Sequence, residues 1–374
     1  MLDLAARLAF RAAGDVEPNP MVGAVIVNNG RIIGLGHHKK YGGLHAEREA
    51  LADCRRRGED PRGATIYVTL EPCCHHGKQP PCTDALIEAG IVRVVAARPD
   101  PNPVSGGGAA VLRRAGIGIE FDASNPLALG ISAPFIKGLT CKMPWVVAKW
   151  AQTADGRLVT RPDEPRWISG ELARRRVHQI RARVGAVLTG MGTVLADDPR
   201  LTARGARVHR VATRVVIDPH LELPLDSALV RTAKEVPVVV FCSEGDRDGA
   251  SDRRMALERA GVRIMIADGA ANEVSLADTL GQMARELGIS TVLLECGPRL
   301  LKRMFAEDLI DAAIVHAVGG PEYPDQAKAM AERIAPPLGE QFSLCRERGL
   351  GADLELIYTR ATDARTSGSA APSP

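Results

Sequence analysis

His45-Ala46-Glu47, then Glu71-Pro72-Cys73, then Pro81-Cys82 are the stretches on which the reading of this chain turns. In that order they bring one imidazole, one carboxylate and two thiols. An H-x-E segment followed by P-C-x-x-C marks the hydrolytic zinc deaminases, in which the Glu carries protons and is not a zinc ligand. His45, Cys73 and Cys82 fill three corners of a tetrahedron and leave the fourth to water. Zinc lowers the pKa of that water to about 7. Glu47, two residues from His45, is placed to shuttle protons between water, a ring nitrogen and departing ammonia. The spacing departs from the pattern, because the residues from Cys74 to Pro81 separate the two thiols and exclude a tight C-x-x-C turn. Cys74 competes as a ligand but ranks below Cys82, since adjacent side chains diverge. His75 or His76 would complete a four-ligand structural site, and that reading stays open.

Working outward, 374 residues suggest two domains, each long enough for its own core. With 45% hydrophobic and 25% charged residues, the composition is that of a globular protein. A net charge of +3 and 3% aromatics argue against a nucleic-acid partner, which would want a basic groove and stacking rings. No apolar run approaches the roughly 20 residues of a membrane helix. The amphipathic start Met1 to Arg7 has no apolar signal core, so the expected compartment is the cytoplasm. There the eight cysteines read as metal ligands and core thiols.

In the N-terminal half, residues 2–13 and 45–57 read as helices, and 23–27 with 31–35 as a hairpin through Asn28-Asn29-Gly30. Residues 65–70 and 92–97 read as strands and 83–89 as a helix, which suits helices packed on a mixed sheet. His45 and Cys82 then stand at helix starts, where partial positive charge favours a thiolate at Cys82. Asn19, between two prolines, is fixed in an extended loop. His38 follows a strand, and Lys78 in the insert offers a point charge to a phosphate. Asp100 and Asn102 lie in a Pro-rich loop after a strand, where ligands commonly bind. Gly106-Gly107-Gly108 would let backbone approach a phosphate. The Arg55 to Arg57 and Arg174 to Arg176 runs read as solvated helix faces.

A boundary falls near Lys142-Met143-Pro144-Trp145. Beyond it, strands near 145–151, 186–189, 214–217, 236–241, 263–266, 291–295 and 312–316 alternate with helices near 170–183, 252–260, 276–287 and 299–306. That alternation implies a largely parallel sheet covered on both faces. No G-x-G-x-x-G follows a strand. Gly190-Met191-Gly192-Thr193, with Thr193 ready to cap, and Glu295-Cys296-Gly297-Pro298 are instead two strand-end turns suited to cradling phosphates.

The full block Thr69-Leu70-Glu71-Pro72-Cys73-Cys74-His75-His76-Gly77-Lys78-Gln79-Pro80-Pro81-Cys82 resembles the bifunctional deaminase/reductase family of riboflavin biosynthesis, long insert included. Pro18 to Gly23 and Asp100 to Pro103 match it as well. Lys149 to Arg157, Trp167 to Ser169, Thr189 to Pro199 and Glu295 to Pro298 resemble, in order, its reductase half. The likeness spans roughly residues 1 to 360.

The resemblance implies a cytidine-deaminase-like α/β/α sandwich over 1–143 and a dihydrofolate-reductase-like α/β domain over 144–361. Residues 362–374 lack apolar periodicity and read as a disordered tail. It implies one zinc ion per chain and NADPH. Asn19 would contact the pyrimidine and His38 would face it. Ala151, Trp167, Thr193 and Asp197 would meet the cofactor, and Gly297, Pro298, Arg299, Leu300, Leu301, Lys302 and Arg303 its phosphates. Lys149, Asp155, Pro165, Arg181, Leu201, Arg204 and Glu295 would surround the ribosyl phosphate, with Arg181 and Arg204 as phosphate forks. The expected reactions are deamination of 2,5-diamino-6-ribosylamino-4(3H)-pyrimidinone 5′-phosphate, then reduction of the ribosyl group to ribityl. Partners would be phosphorylated pyrimidines, with neither nucleic acid nor membrane; self-association is left open.

The chain departs from the family at Cys74, where Ser is expected, and at Thr153-Ala154, Pro165, Pro219 and Cys296. Pro165 and Pro219 cannot donate hydrogen bonds. These departures motivate a second reading, a deaminase with a degenerate, non-reducing C-terminal domain. A zinc protein that binds or edits RNA and a purely structural zinc protein are the remaining alternatives.

Overall fold

The computed structural model describes residues 1–153, 156–158, 168–243, 251–269, 273–318 and 338–360. They form two compact units, Met1–Cys141 and a second that begins at Lys142.

In the first unit the chain runs α1 (Leu2–Ala9), β1 (Gly23–Asn28), β2 (Arg31–His37), α2 (Ala46–Arg56), β3 (Thr65–Val68), α3 (Cys82–Glu88), β4 (Arg93–Ala96), α4 (Gly108–Arg114), β5 (Gly118–Phe121) and α5 (Pro126–Cys141). Asn29 and Gly30 take positive φ of 48° and 75°, as the two-residue turn between β1 and β2 requires. The sheet order is β2-β1-β3-β4-β5. β1 is antiparallel to both neighbours, whereas β3, β4 and β5 are parallel. Alternate strand residues serve opposite cores. Ile66, Val94 and Ala96 pack with Ala46, Ala50 and Leu86 of α2 and α3, while Val95 and Ala97 pack with Leu2, Ala6 and Ile131 of α1 and α5. Helices thus cover both faces, which is why these strands are apolar throughout. α4, β5 and α5 extend this unit beyond the elements expected from the sequence.

The helix that carries the H-x-E segment rests directly on β2. A Cβ at Gly36 would stand 2.2 Å from the Ala46 carbonyl oxygen and 2.4 Å from the Ala50 nitrogen. Both obstacles are backbone, so α2 itself would have to move. Gly36→Ala should therefore destabilise the unit by about 1–3 kcal/mol or more and reduce bound zinc. Urea unfolding and metal analysis check this; an unchanged midpoint with full zinc would refute the close approach.

The second unit contains β6 (Trp145–Gln152), α6 (Glu171–Arg181), β7 (Ala186–Gly190), α7 (Met191–Asp197), β8 (Thr213–Ile217), α8 (Ala228–Arg231), β9 (Val238–Cys242), α9 (Ser251–Arg259), β10 (Val262–Ile266), α10 (Leu276–Leu287), β11 (Thr291–Leu294), α11 (Pro298–Ala306), β12 (Ala312–Val318), β13 (Phe342–Leu350) and β14 (Asp353–Arg360). Its nine strands lie in the order β10-β9-β8-β7-β11-β6-β12-β14-β13. Pairing is parallel from β10 through β12, and β14 then runs antiparallel to β12 and β13. Val146, Ala148 and Trp150 of β6 enter one core, and Val147 packs against the other. Both units are α/β, as the sequence implies. The antiparallel end, built by β13 and β14, was not anticipated.

Candidate active site

In the first unit, three separate elements deliver the candidate zinc-binding groups. His45 is the extended residue that caps α2 (φ −71°, ψ 162°), and Cys82 opens α3 behind Pro81. Cys73 follows β3. Both thiol sulfurs lie 3.4 Å from His45 Nδ1, and the three ligand atoms all fall within 4.8 Å of one another. Zinc ligands at about 2.0–2.3 Å in a tetrahedron would stand at edges close to these, so the trio fits the ion, with His45 bound through Nδ1. Cys74 turns away, its sulfur 3.1 Å from the Gly106 carbonyl oxygen. Among the described residues His75 and His76 do not join the cluster, so the four-ligand structural site lacks its fourth ligand there.

The hydrogen bond from Cys82, assisted by His45, lowers the Cys73 thiol to about 4. That same bond to Cys73, together with burial, pushes Cys82 well up. The contact with Cys73 outweighs the short helix's partial charge, so the direction at Cys82 is opposite to the lowering expected there. Glu47, 3% exposed, is pushed up to about 7 by burial and then by the charge on Cys73. A carboxyl that gains and loses a proton near neutral pH suits a proton carrier.

A cavity of about 280 Å³ opens over this cluster, and Asn19, His38, Lys78, Asp100 and Asn102 all line it with Glu47. Lys78 Nζ stands 3.9 Å over the Tyr41 ring. Asp100 accepts from Ser105 Oγ (2.6 Å) and the Asn102 amide (3.0 Å), while Asn102 Oδ1 accepts from the Val104 amide (3.0 Å). These two side chains thus also hold their own loop in shape. The sequence reading quoted Glu71 without giving it a task. Its carboxylate accepts from the amides of Ala109 (2.7 Å) and Asp100 (3.0 Å), tying that loop and the start of α4 to the segment that carries Cys73. Gly106 and Gly108 of the glycine run serve packing. A Cβ at Gly108 would lie 1.9 Å from the Pro72 carbonyl oxygen, and one at Gly106 2.4 Å from that of Asp100.

In the second unit, polar groups collect where β7, β11 and β6 end. Arg181 donates from Nε and Nη2 to Glu295 at 2.6 and 2.8 Å. Burial alone would raise the Glu295 carboxyl, but the Arg181 guanidinium outweighs it and holds the group below its ordinary value. Lys149 lies on β6 beside Ala148, which pairs with Leu294, the residue before Glu295. Burial lowers its ammonium, opposed by Glu295. Arg181 therefore does not present an empty fork, since Glu295 occupies it. Arg204 donates to Thr202 Oγ1 at 3.0 Å and remains exposed.

The two glycine turns meet. Thr193 Oγ1 is 3.8 Å from where a Gly297 Cβ would stand, and Leu300 abuts Gly190. Gly190 caps α7, with Thr193 inside the helix, and Gly297 caps α11 with Pro298 at its first position. Arg299, Lys302 and Asp197 are exposed, and Ala151 is half-buried. The run 297–303 cannot face one ligand as a whole. Leu301 lies in the core with Leu300 packed against it, and Arg303 is taken by Glu307 (2.6 Å) and the Val274 carbonyl (2.8 Å). Leu201 is likewise a core residue. A helix turns successive side chains by about 100°, so residues three or four apart share a face and part of such a run must enter the core. Asp155, Pro165, Trp167 and the 362–374 tail lie outside the described residues.

Other departures have local accounts. Pro219 sits in a turn closed by Asp218, which accepts from the Glu222 and Leu223 amides. Cys296 is a neutral thiol, pushed up to about 12 by burial and Glu295. The unforeseen β14 supplies two buried acids to α6. Asp353 accepts from the Gly170 amide (2.6 Å) and Glu355 from Arg176 Nε (3.1 Å). The Arg174 to Arg176 run is thus not uniformly solvated.

Residues 1–98 match the cytidine and deoxycytidylate deaminase zinc-binding region, and residues 144–320 match the RibD C-terminal domain. The riboflavin biosynthesis protein RibD of Aquifex aeolicus (strain VF5) is 37% identical over 96% of this chain and 97% of that protein. That of Escherichia coli (strain K12) is 36% identical over 83% and 85%. A Thermotoga maritima structure, described as a diaminohydroxyphosphoribosylaminopyrimidine deaminase/5-amino-6-(5-phosphoribosylamino)uracil reductase, superposes with a TM-score of 0.75 at 32% identity, covering 96% of this chain and 97% of that one. Acinetobacter baumannii RibD, form 1, gives 0.73 at 32%, covering 96% and 98%.

Proposed function

Since this chain belongs to the RibD family and is a bifunctional deaminase and reductase of riboflavin biosynthesis, we propose how its own residues divide the work. Residues 1–143 deaminate 2,5-diamino-6-ribosylamino-4(3H)-pyrimidinone 5′-phosphate, and residues 144–361 reduce the ribosyl group of the product. The observation that carries the first half is that buried Glu47 lines one cavity with His45 and Cys73, whose ligand atoms cluster with that of Cys82.

His45, Cys73 and Cys82 hold one zinc ion, which when bound supplies water ionised near neutral pH. Glu47 would take a proton from the attacking water and pass it to the ring nitrogen, then take the second from the hydroxyl now on the ring carbon and pass it to the leaving ammonia. Asn19 meets the pyrimidine, and Lys78 balances the phosphate charge. Asp100 and Asn102 line the same pocket and border the substrate.

In the second half, Gly190 to Thr193 and Gly297 to Arg299, with Lys302, cradle NADPH, which when bound supplies the hydride. Arg204 takes the substrate phosphate, and Lys149 with Glu295 borders the ribosyl group. No helix among the described residues is long and apolar enough to cross a membrane. A cytoplasmic setting supplies NADPH and keeps the free cysteines reduced.

Mass spectrometry of the product, with and without NADPH, tests both halves. Ammonia loss without cofactor, then a gain of two hydrogens on adding NADPH, is expected. Deamination that stops there would leave only the first half standing. No mass change in zinc-replete protein would remove both.

A further inference from the structure

His38 contributes to the cavity in a way that its position alone does not reveal. It is 3% exposed and meets His45 edge to face, with ring centres 5.4 Å apart. Its Nδ1 lies 2.9 Å from the Leu44 carbonyl oxygen. A carbonyl only accepts, so Nδ1 carries a hydrogen. Its Nε2 lies 3.2 Å from Asn19 Nδ2. Asn19 turns its nitrogen, which carries hydrogens, toward Nε2, and two N–H groups cannot bond each other, so Nε2 carries none. The neutral ring then presents a lone pair at Nε2, and the Asn19 amide nitrogen must donate to it. Each hydrogen bond fixes the next, from Leu44 through His38 to Asn19. Both amide hydrogens stay at the His38 end of the group, and the amide oxygen is what Asn19 offers the cavity that it lines.

We propose that His38 is a positioning residue that locks the Asn19 amide with its oxygen toward the ligand, so that the pocket selects a pyrimidine bearing an N–H donor beside the amino-bearing carbon. A 2-amino-4-oxopyrimidine has that donor. In a cytosine-type ring the amino-bearing carbon is flanked by a nitrogen acceptor and a C–H, and neither satisfies an amide oxygen. The pocket thereby discriminates between two amino-pyrimidines that the same zinc chemistry would otherwise treat alike. This deepens the deaminase reading and rests on it.

The test uses the full-length, zinc-loaded protein. Nitrogen NMR of labelled histidine, with the His38 signals identified by their loss in His38→Gln, should show a protonated Nδ1 and a bare Nε2. His38→Gln places an acceptor oxygen near the Nε2 position and should keep KM within about threefold. His38→Leu should raise KM about tenfold, with kcat changed less, as expected for one hydrogen bond left unmade. An analogue N-methylated at the ring N–H should bind wild type about tenfold more weakly than the parent pyrimidine, and His38→Leu should barely distinguish the two. A proton on Nε2, or a KM in His38→Leu equal to wild type with zinc retained, would overturn the proposal. The NMR result needs no turnover, so absence of ammonia release would sink the deaminase reading separately.

Discussion

Glu47→Gln protein should bind zinc as wild type does and lose deamination by about two to four orders of magnitude, the usual worth of a positioned acid–base group. The substitution keeps shape and volume, so the second residue of α2 stays where it is and the close approach to β2 is undisturbed. The three ligand atoms belong to His45, Cys73 and Cys82, so metal content should not fall. What changes is proton traffic. Burial and the Cys73 charge push the Glu47 carboxyl up to about 7, where it exchanges a proton readily at neutral pH, and an amide cannot. The same burial makes the carboxylate costly to the fold, so Glu47→Gln should be at least as stable as wild type, a trade of stability for function common at active sites. Reduction of separately supplied deaminated substrate should be unaffected. Ammonia release, zinc analysis and a reductase assay on one preparation decide it. Turnover above about a tenth of wild type, beyond what loss of such a group allows, would remove Glu47 from the proton path.

How much of this was legible in the sequence differs between the two units, for physical reasons. The zinc cluster was legible because its chemistry dictates residue type: few side chains ligate zinc, and Pro81 before Cys82 marks a helix start. The long insert hid only the turn geometry. The glycine run at 106–108 is ambiguous in sequence, because a glycine needed for backbone packing has the same letter as one needed for a phosphate. In the second unit, charge pattern shows that Arg181 is basic but not that Glu295, 114 residues away, fills its fork. Long-range pairs of this kind depend on strand order. Strands β13 and β14 were missed for a related reason. Their residues Ser343 to Gly349 face solvent, so the apolar alternation that reveals a half-buried strand is absent from β13. The buried acids Asp353 and Glu355 similarly disguise β14.

Glu295→Ala should strike the second unit harder than any surface change and leave the deaminase rate intact. Arg181 and Glu295 are each only 13% exposed at the side chain, and Lys149 lies in the same electrostatic environment. Removing the carboxylate leaves a guanidinium and an ammonium in low dielectric without compensation, a loss of about 3–5 kcal/mol for a buried pair broken on one side. Glu295→Gln retains an acceptor and should lose less stability, yet it too removes the negative charge opposite Lys149, so NADPH oxidation should fall in both. All three tryptophans, Trp145, Trp150 and Trp167, follow Lys142, where the second unit begins, so tryptophan fluorescence during urea unfolding reports on this unit. The sign with pH follows from the pair. The folded carboxyl sits below its ordinary value of 4.5, so its contribution is fully present above that value and is lost as pH falls through the lowered folded one. Wild type should show this acid loss in the tryptophan-monitored transition, and Glu295→Gln should flatten it. A Glu295→Ala protein as stable as wild type, with normal NADPH oxidation, would show that the pair contributes neither stability nor chemistry. Normal NADPH oxidation in a destabilised protein would make it a packing device beside the site.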